Sequence, residues 1–163
     1  MKTLLVVAHP RQSSLTFAVA QAFADQIRKG GHSVEWADLV RERFDPVLMT
    51  PDEPDWNDPN KVYSAPVRAE MQRIARNEWN HGWACGGKSY PHRRVWLIGV
   101  AGVGAESYAN RHYDAAMRTQ LEVGLLEFCG IEGRRVELLY GATEGEPHPS
   151  AALARAHAFG AMF

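Results

Sequence analysis

The sequence of 163 residues has little of what membrane, secreted or nucleic-acid-binding proteins need. Its two cysteines, Cys85 and Cys129, stand in neither a CxxC nor a zinc-binding spacing, which excludes a disulfide framework and favours reduced thiols. No apolar stretch approaches the roughly 20 residues of a membrane-spanning helix, and the first apolar run stops at His9, too early for an export signal. A formal net charge of -1 gives no electrostatic basis for binding nucleic acid. We therefore expect a cytoplasmic protein with no membrane span and no nucleic-acid partner.

Motifs of several common enzyme classes are missing as well. The sequence has no GxSxG elbow and no GxxxxGK(S/T) loop, which excludes the usual hydrolase and nucleoside triphosphatase designs. Cys129 ends an apolar helix face, as a buried inert thiol does, and Cys85 has His81 nearby but no group to orient it. Five histidines have no partner at metal-ligand spacing, so no metal site is predicted: His32, His81, His92, His148 and His157.

What is present is an alternation of strand-like and helix-like segments. Leu4 to Ala8 is a continuous apolar run, typical of a strand buried on both faces of a parallel sheet, whereas His32 to Leu39 alternates like a strand nearer an edge. The other predicted elements are a helix after Ser13 and Ser14 that ends at Gly30-Gly31, a helix from Pro66 to about Arg76, a strand over Val95 to Val100, a helix with Met117, Leu121, Leu125 and Phe128 on one face, a strand over Val136 to Tyr140, and a helix from Ser150 to Ala161. This order predicts a single α/β domain over residues 1–163, an open parallel sheet with helices on both faces.

The loop after the first predicted strand is placed to bind a ligand. In an open α/β sheet, ligands bind beyond the carboxyl ends of the strands. This loop puts polar side chains around a helix amino terminus, whose free N–H groups and dipole attract phosphate: His9, Arg11, Ser13, Ser14 and Thr16. The pattern fits a phosphate cradle, although a bare AHPxxSS string more often means only a helix cap by Ser13 or Ser14 and a local hydrogen bond of His9.

The loop after the Val95 strand is the second candidate. Its glycines, in the run Gly99-Val100-Ala101-Gly102-Val103-Gly104, allow backbone to approach a ligand closely. Tyr108 and His112 follow about one helical turn apart, and such a pair can stabilise and protonate charge that develops on a reduced ring or quinone. The same spacing fits a flexible connection with a surface histidine about as well.

Four segments, in this order along the chain, resemble the NAD(P)H dehydrogenase (quinone) family of flavodoxin-like enzymes. They are LLVVAHP at 4–10, Gly82-Trp83-Ala84, the loop from Gly99 to Tyr108, and GLLEFCG at 124–130. The family includes bacterial general stress and drug modulator quinone reductases and ancillary subunits of potassium efflux systems. The resemblance runs through most of the chain, and the AHP start together with GLLEFCG is fairly specific.

The resemblance implies a non-covalently bound flavin, FAD rather than FMN. Hydride passes from NAD(P)H through the flavin to a quinone-like acceptor, in a two-electron, ping-pong reaction. In this family pattern the flavin phosphates are held by His9, Ser13, Ser14, Leu15 and Thr16. The isoalloxazine edge is lined by Gly99, Val100, Ala101 and Gly102, and Tyr108 with His112 assists charge transfer at the flavin. A homodimer with its active site at the subunit interface is implied too, to which the Asp- and Pro-rich loop around Trp56 to Tyr63 contributes.

One unit of the family pattern has no counterpart in this sequence. Between the helix that ends here near Glu78 and the GWA segment, relatives have a buried strand, an F-P-x-x-W loop against the flavin and a further helix. Here Glu78 runs directly into Trp79, so about two dozen residues, the size of a central strand-helix unit, are missing. Cys85 also stands where relatives tend to have a tyrosine. A natural deletion, a sequence that omits a stretch, and a neighbouring subunit that fills the gap are all compatible with this.

Two functions therefore follow from the sequence. The first is a cytoplasmic, homodimeric, flavin-dependent NAD(P)H:quinone oxidoreductase. The second, motivated by the missing unit, is a non-catalytic binding or regulatory protein, such as a transporter ancillary subunit, that has lost its flavin site. Flavin content distinguishes the two.

Overall fold

The computed structural model of the protein describes residues 1–47, 49–50, 53, 57–58, 60–76 and 94–163. Several sequence predictions fall on other residues and lie outside this range. They concern the Trp79 and Trp83 pair, the Gly82-Trp83-Ala84 segment, Cys85, the junction of Glu78 with Trp79, and part of the loop from Trp56 to Tyr63.

Strands and helices alternate along the described chain, as predicted. The strands are β1 (Lys2–Val7), β2 (Ser33–Asp38), β3 (Arg94–Val100) and β4 (Gly133–Leu139). The helices are α1 (Leu15–Lys29), α2 (Ala65–Arg76), α3 (Ala105–Asn110), α4 (Tyr113–Met117), which continues into a π-helical segment over Arg118–Glu127, and α5 (His148–Met162).

The four strands form two separate parallel pairs. β1 pairs with β2 in a register that runs from Lys2 opposite Ser33 to Val7 opposite Asp38. β3 pairs with β4 from Arg94 opposite Gly133 to Val100 opposite Leu139. Within the described residues no ladder joins β1 to β3, so the single continuous sheet expected from the sequence is divided into two halves. The α/β class is confirmed, and the division lies where the family pattern has its additional strand.

Helix α1 forms where its sequence has both a cap and an apolar face. The Ser14 hydroxyl accepts a hydrogen bond from the Phe17 N–H at 3.3 Å, and the helix ends at Gly30. Gly31 then takes a φ of 78°, which a residue without Cβ adopts freely. The buried face packs on α5 and β4, in a core of Val19, Ala22, Phe23, Ile27, Leu139, Ala152, Ala156 and Phe159.

An aromatic cluster ties β3 to the two long helices. Trp96 contacts Phe159 at 6.0 Å and Phe163 at 5.4 Å between ring centroids, both edge to face, and Phe23 of α1 contacts Phe163 at 5.4 Å. The Arg135 guanidinium lies 5.0 Å from the Trp96 ring centroid and also pairs with Glu137, which is buried on β4. Arg155 provides the second cation for that carboxylate, at 3.0 Å. The buried charge of Glu137 is thus neutralised from two sides.

The helix predicted around GLLEFCG differs from expectation. Met117 and Leu121 are partly buried as predicted, but Leu125 is 49% and Phe128 is 66% exposed. The cause is the π-helical segment, whose i to i+5 hydrogen bonds widen each turn, so that residues spaced for an α-helix no longer share one face. Leu126 is the side chain of this segment that becomes buried.

The contact of α1 with α5 leaves no room for a side chain at Gly160. A Cβ there would lie 2.5 Å from the Phe23 carbonyl oxygen and 2.9 Å from the Gln26 Cβ. We expect Gly160→Ala to lower the free energy of unfolding by about 1–3 kcal/mol, because the helices must separate. Gly124→Ala is the matched control: its Cβ would meet Thr119 O at 3.6 Å, an ordinary contact. Urea unfolding of both variants tests this, and wild-type stability of Gly160→Ala would contradict it.

Candidate functional site

The loop after β1 brings polar groups to the start of α1. The His9 ring nitrogen Nδ1 accepts a hydrogen bond from the Arg11 N–H at 3.1 Å, and the Arg11 carbonyl oxygen lies 3.0 Å from it. Ser14 caps the helix, so both parts of the simpler sequence interpretation are present. The N–H groups of Leu15 and Thr16 belong to the first turn of α1, where the helix dipole favours an anion.

The predicted phosphate-binding residues are divided between two concavities. His9 and Thr16 line a cavity of about 770 Å³ that lies between β1 and β3. Ser13 and Ser14 instead line a more open depression of about 510 Å³ on the β2 side of α1, together with Phe17 and Trp36, whose rings stack at 6.4 Å. The start of α1 therefore has a ligand-sized space on each side.

The loop after β3 is held by the segment that follows β4. Ala142 N–H donates to the Ala101 carbonyl oxygen at 2.9 Å, and Thr143 N–H donates to the Gly102 carbonyl oxygen at 3.1 Å. The Glu144 carboxylate accepts from the Gly104 N–H at 2.7 Å. These bonds fix the glycine-containing loop at the carboxyl edge of its half-sheet. Gly99 and Val100, where the loop begins, line the same 770 Å³ cavity as His9 and Thr16.

The structure places Tyr108 in a cluster of aromatic rings and His112 at the surface. The ring of Tyr108 packs edge to face on Tyr113 at 5.9 Å and on Tyr140 at 5.2 Å. His112 is exposed, has a φ of 56° and precedes α4. Burial, and after it the Asp114 carboxylate, raises the pKa of the Tyr140 hydroxyl above its ordinary value. A neutral phenol of Tyr140 therefore lies beside Tyr108 throughout the physiological pH range.

The segment over residues 140–144 was missed by the sequence interpretation. It supplies Tyr140, Thr143 and Glu144, which contact Tyr108, Gly102 and Gly104. The signal was available, because this segment follows β4 at the same edge of the sheet as the other two loops. It was overlooked because it contains no glycine-rich or hydroxyl-rich motif of the usual phosphate-binding kind.

The described residues fit a flavin nucleotide in part. The start of α1, with Thr16 at the cavity, suits a phosphate group, and Gly99 and Val100 at the end of β3 line the same cavity. The cavity continues from these residues down the length of β1 and β3, so it is longer than the end lined by the predicted site residues. The other predicted ring-side residues are not part of its lining: Ala101, Gly102, Tyr108 and His112. No group of three or more metal-ligating side chains is found in the part of the chain that the structure describes. Nor does any helix there have the length and apolar character to cross a membrane.

Comparison with known proteins shows a similarity to flavodoxin-like proteins and to an NAD(P)H oxidoreductase. Residues 1–81 match the family model of the flavodoxin-like fold. The chain is 28% identical to the uncharacterized NAD(P)H oxidoreductase YcaK of Escherichia coli K12 over 160 aligned positions, which cover 83% of this chain and 81% of that protein. Since 83% of the chain is about 135 residues, about 25 aligned positions have no residue here, which agrees in size with the missing unit.

Solved structures give the same fold. An NAD(P)H:quinone oxidoreductase from Methanothermobacter marburgensis superposes with a TM-score of 0.84 at 22% identity, covering 99% of this chain and 94% of that one. An FMN-dependent NADH-azoreductase from Bacillus anthracis, in complex with FMN, superposes with a TM-score of 0.59 at 14% identity, covering 99% and 98%. The protein thus has a flavodoxin-like fold. This is the fold that the resemblance of its sequence motifs implied.

Glu144 provides a test of how the loop after β3 is held. We expect Glu144→Ala to lower the free energy of unfolding by about 1 kcal/mol, because the Gly104 N–H loses its acceptor. Faster hydrogen exchange of the Gly104 amide should accompany this change, whereas Glu144→Gln keeps an acceptor and should lie between. Glu132→Ala, at an exposed position before β4, is the control. Unchanged exchange at Gly104 in Glu144→Ala would show that the loop is held by other contacts.

Proposed function

We propose that this protein is an NAD(P)H-dependent oxidoreductase that binds a flavin without a covalent bond and reduces quinone-like acceptors. Support comes from relatives named as an NAD(P)H oxidoreductase and an NAD(P)H:quinone oxidoreductase. The observation that carries the proposal is that His9 and Thr16 at the start of α1, and Gly99 and Val100 at the start of the second loop, line one end of a single cavity.

The proposed binding residues follow the family pattern. The phosphates lie against His9, Ser13, Ser14, Leu15 and Thr16, where free N–H groups and hydroxyls meet the positive end of the α1 dipole. The ring lies against the backbone of Gly99, Val100, Ala101 and Gly102. The first two are held by the ladder with β4, and Ala101 and Gly102 accept the hydrogen bonds from Ala142 and Thr143.

When bound, the flavin supplies the hydride chemistry. The chain supplies orientation and a proton-donating environment. Tyr108 lies next to the neutral Tyr140 phenol, so either hydroxyl can donate a hydrogen bond to negative charge on a ligand. His112 lies four residues after Tyr108 at an exposed position, and we propose that it assists the same charge transfer.

Finer assignments remain part of the proposal. We propose FAD as the flavin, with FMN as the alternative that the FMN-dependent azoreductase illustrates. We also propose NADH or NADPH as the donor, a cytoplasmic location, a single domain and a homodimer in which each active site lies at the subunit interface.

Three measurements test the proposal. They are an absorbance spectrum of the purified protein, its titration with FAD and with FMN, and an assay of NADPH oxidation in the presence of a soluble quinone. Bound flavin and quinone-dependent oxidation support the enzyme. A protein that stays colourless after both titrations has no flavin site, which overturns the proposal.

The Thr16 hydroxyl gives a sharper test of the binding mode. Thr16→Val keeps the shape of the side chain and removes its hydrogen bond, so we expect flavin affinity to fall about tenfold, as for one bond to a charged group. Thr119→Val, at an exposed position of the π-helical segment, is the matched control and should bind as the wild type does. Equal affinity of the two variants would place the phosphate elsewhere.

A non-catalytic binding or regulatory protein is the second candidate, and the division of the sheet favours it. A flavodoxin-like protein with one wall of its cavity open has lost part of the surface that holds a flat ring. The flavin titration decides between the two functions.

A further inference from the structure

The gap between the two half-sheets is an apolar cavity bounded by two strands. β1 lines one side and β3 the other along their whole length, and side chains of α1, including Val19 and Phe23, close one face. β3, next to the gap, is less buried than β4 behind it, and β1 has exposed positions as well. Val6 of β1 is 52% exposed and β3 is only partly buried, whereas Val136 to Leu139 of β4 are buried.

The open edge of β1 can be assigned residue by residue. The Met1 carbonyl oxygen accepts from the Ser33 N–H at 3.2 Å, and the Val7 carbonyl oxygen accepts from the Leu39 N–H at 3.0 Å. Successive residues of a strand direct their backbone groups to opposite edges, so the odd-numbered residues of β1 face β2. Lys2, Leu4 and Val6 therefore direct N–H and C=O toward the gap.

The open edge of β3 follows from the same alternation. Ala101 N–H donates to the Leu139 carbonyl oxygen at 2.8 Å, so the odd-numbered residues face β4. Trp96, Ile98 and Val100 then direct their backbone groups toward the gap. An apolar space with a row of backbone donors and acceptors on each side matches the requirements of one additional strand.

The dimensions agree with a short segment. A strand residue within packed layers occupies about 160 Å³, given a rise of ~3.3 Å, a strand spacing of ~4.8 Å and a layer spacing of ~10 Å. The 770 Å³ of the cavity therefore correspond to about five residues. Thr3 also lines the cavity, and its hydroxyl is buried with no hydrogen-bond partner among the described residues.

We propose that this gap is a binding site for an extended apolar peptide segment of another protein, which inserts between β1 and β3 and joins the two half-sheets. The segment runs parallel to both strands, as the strands of each half do. It is apolar at successive positions, because a strand inserted here is covered on both faces.

Charge at the amino ends of the strands defines one end of the ligand. Lys2 and Arg94 lie at this end of the cavity lining, and the Arg94 guanidinium donates hydrogen bonds to the main-chain oxygens of Met162 and Phe163. An acidic residue just before the apolar stretch of a parallel peptide lies near Lys2, which favours it over a basic residue. The peptide lies in the part of the cavity below His9, next to the end at which we propose that the flavin binds, so its binding is measured without flavin.

The test measures binding of a synthetic peptide to the full chain by fluorescence anisotropy, without flavin. The peptide is DVIVLV, labelled with fluorescein, with a capped amino terminus and a soluble Gly-Ser-Lys-Lys tail. A matched peptide carries N-methyl groups on alternate residues, which removes the donors to one edge and keeps every side chain. We expect the first peptide to bind saturably and the second at least about tenfold more weakly, since each lost bond weakens binding about fivefold.

Two variants of the protein test the same edge. Val6→Pro removes one N–H that points into the gap, at an exposed side chain, whereas Val6→Thr keeps the N–H and the strand preference. We expect the proline variant to bind DVIVLV about fivefold more weakly and the threonine variant to bind as wild type does. Circular dichroism checks that both fold, and the N-methylated peptide decides the question if Val6→Pro does not.

Two results overturn the proposal. Equal binding of the normal and N-methylated peptides would mean that the gap is an apolar pocket that forms no hydrogen bonds with the peptide backbone. Absence of saturable binding of DVIVLV would overturn the proposal as well, whatever the oligomeric state of the chain. In each case the flavin titration gives a separate answer, so failure here leaves the proposed oxidoreductase untouched.

Discussion

The packing of α1 against α5 is the constraint on which the rest of the structure depends. Within the described residues no strand ladder joins β1 and β2 to β3 and β4, so the two half-sheets keep their relative position through the helices that cover them. Ala24 and Ala156, two of the small residues of these helices, are fully buried, and Gly160 allows the backbones to approach. Phe23, Phe159 and Phe163 then bring Trp96, and with it β3, onto the same layer.

Local patterns predicted the elements whose formation is decided locally. β1 was visible as an apolar run, and α1 as a capped amphipathic segment, because Ser14 and Gly30 act through their immediate neighbours. The turn geometry of residues 118–127 was not predictable in this way, since an α-helix and a π-helix use the same residue types. The residues that hold the second loop escaped because Glu144 and Gly104 lie 40 positions apart in sequence.

The division of the sheet into two halves was not predictable from local residue patterns. No residue in the chain forbids a ladder between β1 and β3, and the division was anticipated only because the family pattern contains a unit that this sequence lacks. The structure adds the physical consequence: two edges whose backbone groups face one apolar cavity. If a flavin and an inserted strand both use that cavity, their affinities are coupled, and each ligand changes the binding of the other by the same factor.

The contact between the first and last long helices also bears on how the chain reaches its native state. The central core of α1 has its partners on β4 and α5, more than 100 residues later in the sequence, so a ribosome must release the chain through α5 before that core can close. Contacts between distant parts of a chain slow folding, and an amino-terminal half that waits for its partner exposes an apolar helix face in the meantime. During synthesis, this arrangement makes the nascent amino-terminal half a natural client for chaperones.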